Sequence, residues 1–316
     1  MCSLVRYYKG VPIPDIPTVT EIVPTEEQWV GIREALVAVL SNQDTAIVID
    51  ASSSTKANGT HKEATDKTRL DLEKEIALGI ADEACARDED GIQCYILSGH
   101  TGFTTKPRSK SGIKSKQDLA AFLKPWKPDN TTPLIPLLAD ILDKHVQSCK
   151  DNWATKRLNL VVIADGGADP DDEGRTIPDL IRKAAFNLYD LGLKKDVNFN
   201  PKEKLGIEFA LATDDVIDMA YYRCIDAMEY ILQSKNQDGQ VETRKREWDI
   251  VDVTYWQEIM AMKGPGGELS TAKLLAGSNH VAFDNLGENS ELVAALDNFI
   301  KGLREKGWSV IEQKPI

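Results

Sequence analysis

Thr45-Ala46-Ile47-Val48-Ile49-Asp50-Ala51-Ser52-Ser53-Ser54 is an apolar run that stops at a carboxylate and passes into a loop with hydroxyls at alternate positions. Its first five residues read as a short strand buried on both faces. Asp50, Ser52 and Ser54 then supply oxygen ligands of the kind that hard divalent cations take. Ordinary Asp and Ser usage can produce such a triplet by chance, so its position carries the weight. Sheets of α/β proteins bind ligands outside the carboxyl ends of their strands.

The rest of the chain repeats the same alternation of short apolar strand and amphipathic helix. Before the quoted stretch, Pro12, Pro14, Pro17 and Pro24 make residues 1–24 an extended arm with polyproline-like geometry. Thr25-Glu26-Glu27-Gln28 reads as a capping box, followed by Trp29, Ile32, Ala35, Leu36 and Leu40 at helical spacing. After the loop, Leu72, Ile76, Ile80 and Ala84 mark a second helix, closed by Asp88-Glu89-Asp90-Gly91. Ile92–Ser98 and Leu158–Ala164 are further strands, the latter the most apolar of all and ending at Asp165-Gly166. Helices are expected around Asp118–Leu123, over Leu134–Val146 behind Thr132-Pro133, from about Pro178 to Leu191 and from about Val216 to Leu232. Strands at Ile207–Ala212 and Asp249–Val253 complete the series. Strands of this length separated by helices indicate a parallel sheet covered on both sides.

Composition limits the function classes. The 316 residues carry a formal net charge of −12, which argues against a general nucleic-acid binder. Five scattered cysteines form no Cys-x-x-Cys pair, as expected of a reducing compartment and of small buried hydrophobes. Met1–Lys9 holds no apolar core of signal-peptide length, and no stretch approaches a membrane span. The expectation is a cytoplasmic protein, with the sequons at Asn58 and Asn130 unused.

Three loops at strand ends or helix starts converge in principle. They carry Asp50, Ser52 and Ser54; Thr132; and Asp165. Each has a bland explanation when taken singly: a turn with a helix cap, an N-cap, and an Asp-Gly turn. Their order is more specific. Asp-x-Ser-x-Ser, then a Thr-Pro-Leu helix start, then an apolar strand ending in Asp-Gly resembles the metal-ion-dependent adhesion site (MIDAS) of von Willebrand factor A (vWA) domains. Asp88-Glu89-Asp90-Gly91-Ile92, Asp249-Ile250-Val251-Asp252 and Leu274-Leu275-Ala276-Gly277-Ser278-Asn279 resemble segments of the intracellular, fungal-type branch of that family. The similarity covers about residues 43–255 and, more loosely, the C-terminal part.

The resemblance implies a doubly wound, mostly parallel sheet with helices on both faces and one short antiparallel edge strand. It further implies that Ser52, Ser54 and Thr132 are hydroxyl ligands of Mg²⁺ or Mn²⁺, with Asp50 and Asp165 acting directly or through water. A partner protein's Asp or Glu carboxylate would complete the coordination. The domain organisation expected is an arm at 1–24, a vWA-like α/β domain at 25–255 and a helical C-terminal extension at 256–316. Two departures stand out: Thr55 follows Ser54 where the family often has Met, and only Phe103-Thr104-Thr105 offers itself as the edge strand.

Other features are weaker. Between Lys106 and Lys127, seven basic residues face Asp118 alone, a run that reads as a solvated surface before it reads as bait for an acidic partner. Asp169, Asp171, Asp172 and Glu173 lack calcium-loop spacing and read as a flexible acidic rim. Asp214-Asp215 is expected to cap a helix, and the stripe Ile217, Ala220, Cys224, Met228, Ile231 to face the core. No Gly-x-Ser-x-Gly elbow or phosphate-binding Gly-Lys-Ser/Thr is present, and Gly264-Pro265-Gly266-Gly267 reads as a turn. An aspartyl phosphotransferase built on Asp50 would want a second carboxylate at position 52, which is Ser. The expected function is therefore non-enzymatic, a metal-dependent protein-binding module with no nucleic-acid or membrane partner. The alternatives are a metal-assisted hydrolase of small phosphoesters and a scaffold that binds partners elsewhere.

Overall fold

A computed structural model describes residues 6–17, 24–56, 67–97, 109–128, 132–169, 171–196, 198–235, 241–261, 274–275, 290–311 and 314–315. In chain order the elements are strands β1 (Tyr7–Tyr8) and β2 (Val11–Pro12), helix α1 (Glu26–Leu40), β3 (Gln43–Asp50), α2 (Arg69–Ala84), β4 (Ile92–Leu97) and β5 (Ser109–Ile113). Then follow α3 (Lys116–Leu123), α4 (Leu134–Asp151), β6 (Arg157–Ala164), α5 (Ile177–Gly192), β7 (Leu205–Leu211) and α6 (Val216–Asp226). The chain closes with β8 (Tyr230–Lys235), β9 (Val241–Arg246), β10 (Val251–Tyr255), α7 (Trp256–Ala261), α8 (Ser290–Glu305), β11 (Trp308–Ser309) and β12 (Lys314–Pro315).

Six strands form one sheet in the order β10-β7-β6-β3-β4-β5, all parallel except β5. The expected doubly wound α/β architecture is what the chain adopts. Pleating sends Ala46, Val48, Leu160, Val162, Ile207 and Phe209 to one face, where α4, α5, α6 and α8 cover them. Ile47, Ile49, Val161, Ile163 and Ala210 go to the other, beneath α1, α2, α3 and α7. This is why the strands read as unbroken apolar runs. The chain reverses direction across the sheet between β3 and β6, whose registers pair Ile49 with Ile163. That reversal places the last residues of both strands side by side at the switch point, where doubly wound sheets open a crevice.

Local signals act as expected at several boundaries. The Thr25 amide donates to Gln28 Oε1 and the Gln28 amide to Thr25 Oγ1, closing the capping box of α1. Gly91 has φ +81°, and a Cβ there would lie 2.8 Å from the Gly112 carbonyl carbon. Glycine is thus needed both for the turn and for the approach of β5. The helix itself stops earlier, at Ala84, and Asp88–Gly91 forms a separate turn into β4.

Four expectations need correction. The antiparallel edge strand is Ser109–Ile113, inside the run read as a basic loop; Phe103-Thr104-Thr105 lies outside the described residues. An edge strand needs only one buried side chain, here Ile113, so it carries no apolar signature. Second, α6 ends at Asp226 and does not reach Leu232. Tyr230–Lys235 instead pairs antiparallel with Val241–Arg246, leaving Ile231 exposed, not in the core. Tyr230 packs on Trp248, which also stacks against Phe186 and Tyr189 of α5, and this aromatic cluster outweighs the helical periodicity. Third, the last strand of the sheet runs over Val251–Tyr255, two residues beyond the expected Asp249–Val253. Fourth, within the arm, β1 and β2 form a hairpin rather than a polyproline segment. Val11 packs so closely on α8 that a Cβ at Gly302 would lie 2.9 Å from it. No described helix is long and apolar enough to cross a membrane.

A buried histidine under β7 links this packing to pH. His145 on α4 lies 2.7 Å through Nε2 from the Lys204 carbonyl, which fixes Nε2–H as the donor, and Cys149 Sγ lies 3.6 Å from the same nitrogen. Burial, joined by the Lys204 and Arg157 cations, pulls His145 from its ordinary 6.5 to about 4 despite that carbonyl. The unfolded chain therefore binds a proton that the folded one refuses between these values. Stability is lost as pH falls from about 6.5 towards 4, by on the order of 2–3 kcal/mol from this group. Buried carboxylates such as Asp50 and Asp218 take up protons in the same window with the opposite sign, so the His145 contribution is read as a difference. The urea stability of His145→Gln relative to wild type should rise as pH falls from about 6.5 to 4.

Candidate functional site

Asp50 is the final residue of β3, and Asp165 follows the final residue of the adjacent β6. Both are buried, at 0% and 3% exposure. Asp50 Oδ1 accepts the Ser52 backbone N–H at 2.7 Å, which folds the loop back over the strand end. Thr55 Oγ1 then donates to the Ser52 carbonyl at 2.7 Å and holds a 3-10 turn over Ser53–Lys56. This loop aligns the hydroxyls. Ser52 Oγ and Ser54 Oγ lie 2.8 Å apart, and Ser54 Oγ donates to Asp165 Oδ1 at 2.8 Å. An unbroken chain of oxygen atoms thus runs across the switch point from Ser52 to Asp165.

Thr132 reaches the same place from α4. Its backbone N–H donates to Asp169 Oδ2, and the Asp169 N–H donates back to its carbonyl at 3.1 Å. Asp169 is close enough that its charge acts on Asp50. The Thr132 side chain makes no capping bond to α4, whose N-cap is Pro133. The explanation of Thr132 as a simple N-cap therefore does not hold. The structure brings Asp50, Ser52, Ser54 and Asp165 into one bonded group. Thr132 is bonded to Asp169, whose charge acts on Asp50, and among the described residues no hydrogen bond joins Thr132 itself to the group.

The acidic segment behind Asp165 is built rather than loose. Asp169 clamps Thr132, and Asp171 receives Arg175 Nε at 2.8 Å and Nη2 at 3.0 Å. Those Arg175 bonds hold the Asp171 carboxyl down at about 2. Glu173 is also held, by Arg175 Nη1 at 3.2 Å and through its own N–H to Asp171, so the expected flexible rim is not what these residues form, although Asp172 and Glu173 are exposed. The Gly166-Gly167 loop is pinned by α6: Tyr222 Oη donates to the Gly166 carbonyl at 3.1 Å, and Asp218 oxygens would lie 3.2–3.3 Å from a Cβ at either glycine. Asp215 caps α6 by accepting the Ile217 N–H at 2.8 Å, as the sequence indicates. His61 lies outside the described residues.

Sequence reasoning passed over Arg69 and Glu73, both on α2. Thr68 caps this helix in a reciprocal box with Asp71, which aims Arg69 at the site. Arg69 Nη1 reaches Asp165 Oδ2 at 3.1 Å. Glu73 is wholly buried; the Asp50 backbone N–H acts on it, and among the described residues no side chain donates to either oxygen. A signal was available: Glu73 falls on the buried stripe of Leu70, Ala77 and Ile80, where a charge is out of place.

The electrostatics follow from this crowding. Burial lifts the Asp50 carboxyl to about 7; the Ser52 N–H opposes it, and the charges of Asp165 and Asp169 reinforce it. Asp50 Oδ2 has no partner. Burial also drives Glu73 well above its ordinary range, with Asp50 and Asp165 adding repulsion. Burial, then the neighbouring Asp215, raises Asp218 to about 6. The site is rich in unpartnered anionic oxygen, contains no thiol or imidazole among its described side chains, and suits a hard cation.

A second acidic group lies at the opposite, amino-terminal end of the strands. Asp44, Asp88 and Asp90 offer carboxylate oxygens within 4.8 Å of one another. Lys156 Nζ sits among them at 3.5, 3.6 and 3.4 Å, so this cluster already holds its counter-ion.

No family model matches this chain, and no curated protein matches it.

The unpaired Asp50 carboxylate has a measurable cost. In EDTA at about pH 8, Asp50→Asn should raise the stability to urea by about 1–3 kcal/mol, because the amide keeps the Ser52 bond and removes the uncompensated charge. An unchanged or lower stability would show that the charge is already compensated in the metal-free protein.

Proposed function

We propose that this chain is a vWA-type module that binds Mg²⁺ or Mn²⁺ and uses it to hold a carboxylate of a partner protein. One observation carries the reading: Asp50 and Asp165 end adjacent strands at the switch point, joined by Ser52 and Ser54, while Asp50 Oδ2 lies buried without a partner. A buried carboxylate oxygen without a partner supports a cation at this position, which would satisfy it. The Asp-x-Ser-x-Ser, Thr and Asp residues of the MIDAS pattern are the ones involved.

Ser52, Ser54 and Thr132 would present hydroxyl oxygens, with Asp50 and Asp165 as the anionic members. When bound, the ion supplies an electrophilic position for one further anionic oxygen. The chain's own residues prepare that position. Asp50 holds the loop through the Ser52 N–H, Asp169 holds Thr132 by its backbone, and Arg69 offsets part of the charge on Asp165. Three neutral hydroxyls leave more of a cation's charge unspent than carboxylates would, which favours an acidic ligand from outside. Ser at position 52 leaves Asp50 without the acid two residues on that phosphoryl transfer would want.

Titrating Mg²⁺ into the protein by calorimetry should give saturable binding at one site, absent in Asp50→Ala. Equal heats from the two proteins would overturn the reading. With Mn²⁺ bound, adding a glutamate-containing peptide should lower the water-proton relaxation enhancement as a carboxylate displaces water. Turnover of a generic phosphatase substrate in Mg²⁺, abolished by Asp50→Asn, would point to a hydrolase instead.

A further inference from the structure

We propose that Glu73 is an additional carboxylate of this cation site, so that the site retains its ion without any partner. The inference rests on the metal-binding reading above and extends it to a residue outside the Asp-x-Ser-x-Ser, Thr and Asp set. Glu73 lies on the buried stripe of α2 and is itself fully buried; the Asp50 backbone N–H acts on its carboxylate, and among the described residues no side chain donates to either oxygen. The charges acting on it are those of Asp50 and Asp165, and then Arg69. It stands on the helix that packs against β3, β6 and the Ser53–Lys56 turn, near enough to the two strand ends for their carboxylates to act on it.

Nothing in the packing of α2 asks for a carboxylate there. Its neighbours on the stripe, Leu70, Ala77 and Ile80, are apolar and buried against Ile47 and Ile49. An apolar residue would fill the position without the desolvation cost of a buried charge. Arg69 does not meet that cost, because its guanidinium is bonded to Asp165. Among the described residues Arg69 is the cation bonded to this group, and burial pushes Asp50 and Glu73 towards their protonated forms; a divalent cation would displace those protons and pair the carboxylates instead.

A third carboxylate, bound directly or through water, changes what the site does. Affinity for hard cations rises with the number of anionic ligands. A site of hydroxyls and two carboxylates would hold its ion weakly until a partner arrived. With Glu73 added, the ion is held beforehand, and the partner meets a loaded site.

The test uses the full chain and the metals alone. Glu73→Gln keeps the shape and removes the charge. It should weaken Mg²⁺ and Mn²⁺ binding about 10- to 100-fold, measured by calorimetry and by Mn²⁺ electron paramagnetic resonance, with one site retained. Melting in EDTA provides the control: Glu73→Gln should melt at or above the wild-type temperature, so a loss of binding cannot come from a damaged fold. Glu73→Ala should lose affinity to the same extent and serves if the glutamine variant folds poorly. Wild-type affinity in either variant, beside loss in Asp50→Ala, would overturn the role of Glu73 and leave the metal site standing. No saturable binding by the wild type would overturn both.

Discussion

The sheet ends in a group of buried carboxylates that the protein does not neutralise by itself. Asp50, Asp165 and Glu73 act on one another near the point where strand order reverses, and among the described residues Arg69 is the cation that opposes them. Burying unpaired charge is among the most costly arrangements a fold can contain. Its persistence requires a rigid surround, and one is present. The parallel ladders of β3 on β6 and β4 fix the strand ends, the Ser52 turn fixes the loop, and Tyr222 and Asp218 pin the glycines after β6. Local cost and global packing are linked here: the two apolar faces of the sheet supply the stability that the site consumes.

Much of this was legible in the sequence because the central strands are buried on both faces. β3, β6 and β7 read as unbroken apolar runs, and their spacing by helices dictates a parallel, doubly wound sheet. The positions of the candidate site residues are legible for a related reason. Ligand-bearing loops must follow strand ends, so Asp50, Ser52, Ser54 and Asp165 could be picked by position as much as by type. Thr132 was the hardest of the five, since a Thr before Pro at a helix start ordinarily caps. Its actual attachment, through the backbone to Asp169, leaves no trace in the sequence.

What escaped notice depended on tertiary contacts. The β8–β9 hairpin continues a stripe that is helical by spacing, and only the packing of Tyr230 on Trp248 decides for strand. β5 is polar because one of its sides has no neighbour. Glu73 was missed for a different reason. A search that reads loops for chemistry and helix stripes for packing will set aside a charge on a buried helix face as an imperfection. Such a residue is better treated as a question about its partner, because an unpaired buried carboxylate is seldom tolerated without function.

The two ends of the sheet make the argument from within one molecule. At the amino-terminal end, Asp44, Asp88 and Asp90 surround Lys156, which reaches all three at 3.4–3.6 Å. At the carboxyl-terminal end, Arg69 bonds to Asp165, while among the described residues no side chain donates to Asp50 Oδ2 or to the Glu73 oxygens. The same fold thus closes one acidic cluster with its own ammonium and leaves the other short of positive charge. Packing does not account for the difference, since a lysine or an apolar residue on α2 would relieve the second cluster as Lys156 relieves the first. The carboxyl-terminal end lies at the switch point, beside hydroxyls held in register by the Asp50 turn, which is where α/β sheets bind their ligands and where the proposed cation would supply the charge that Lys156 supplies at the other end.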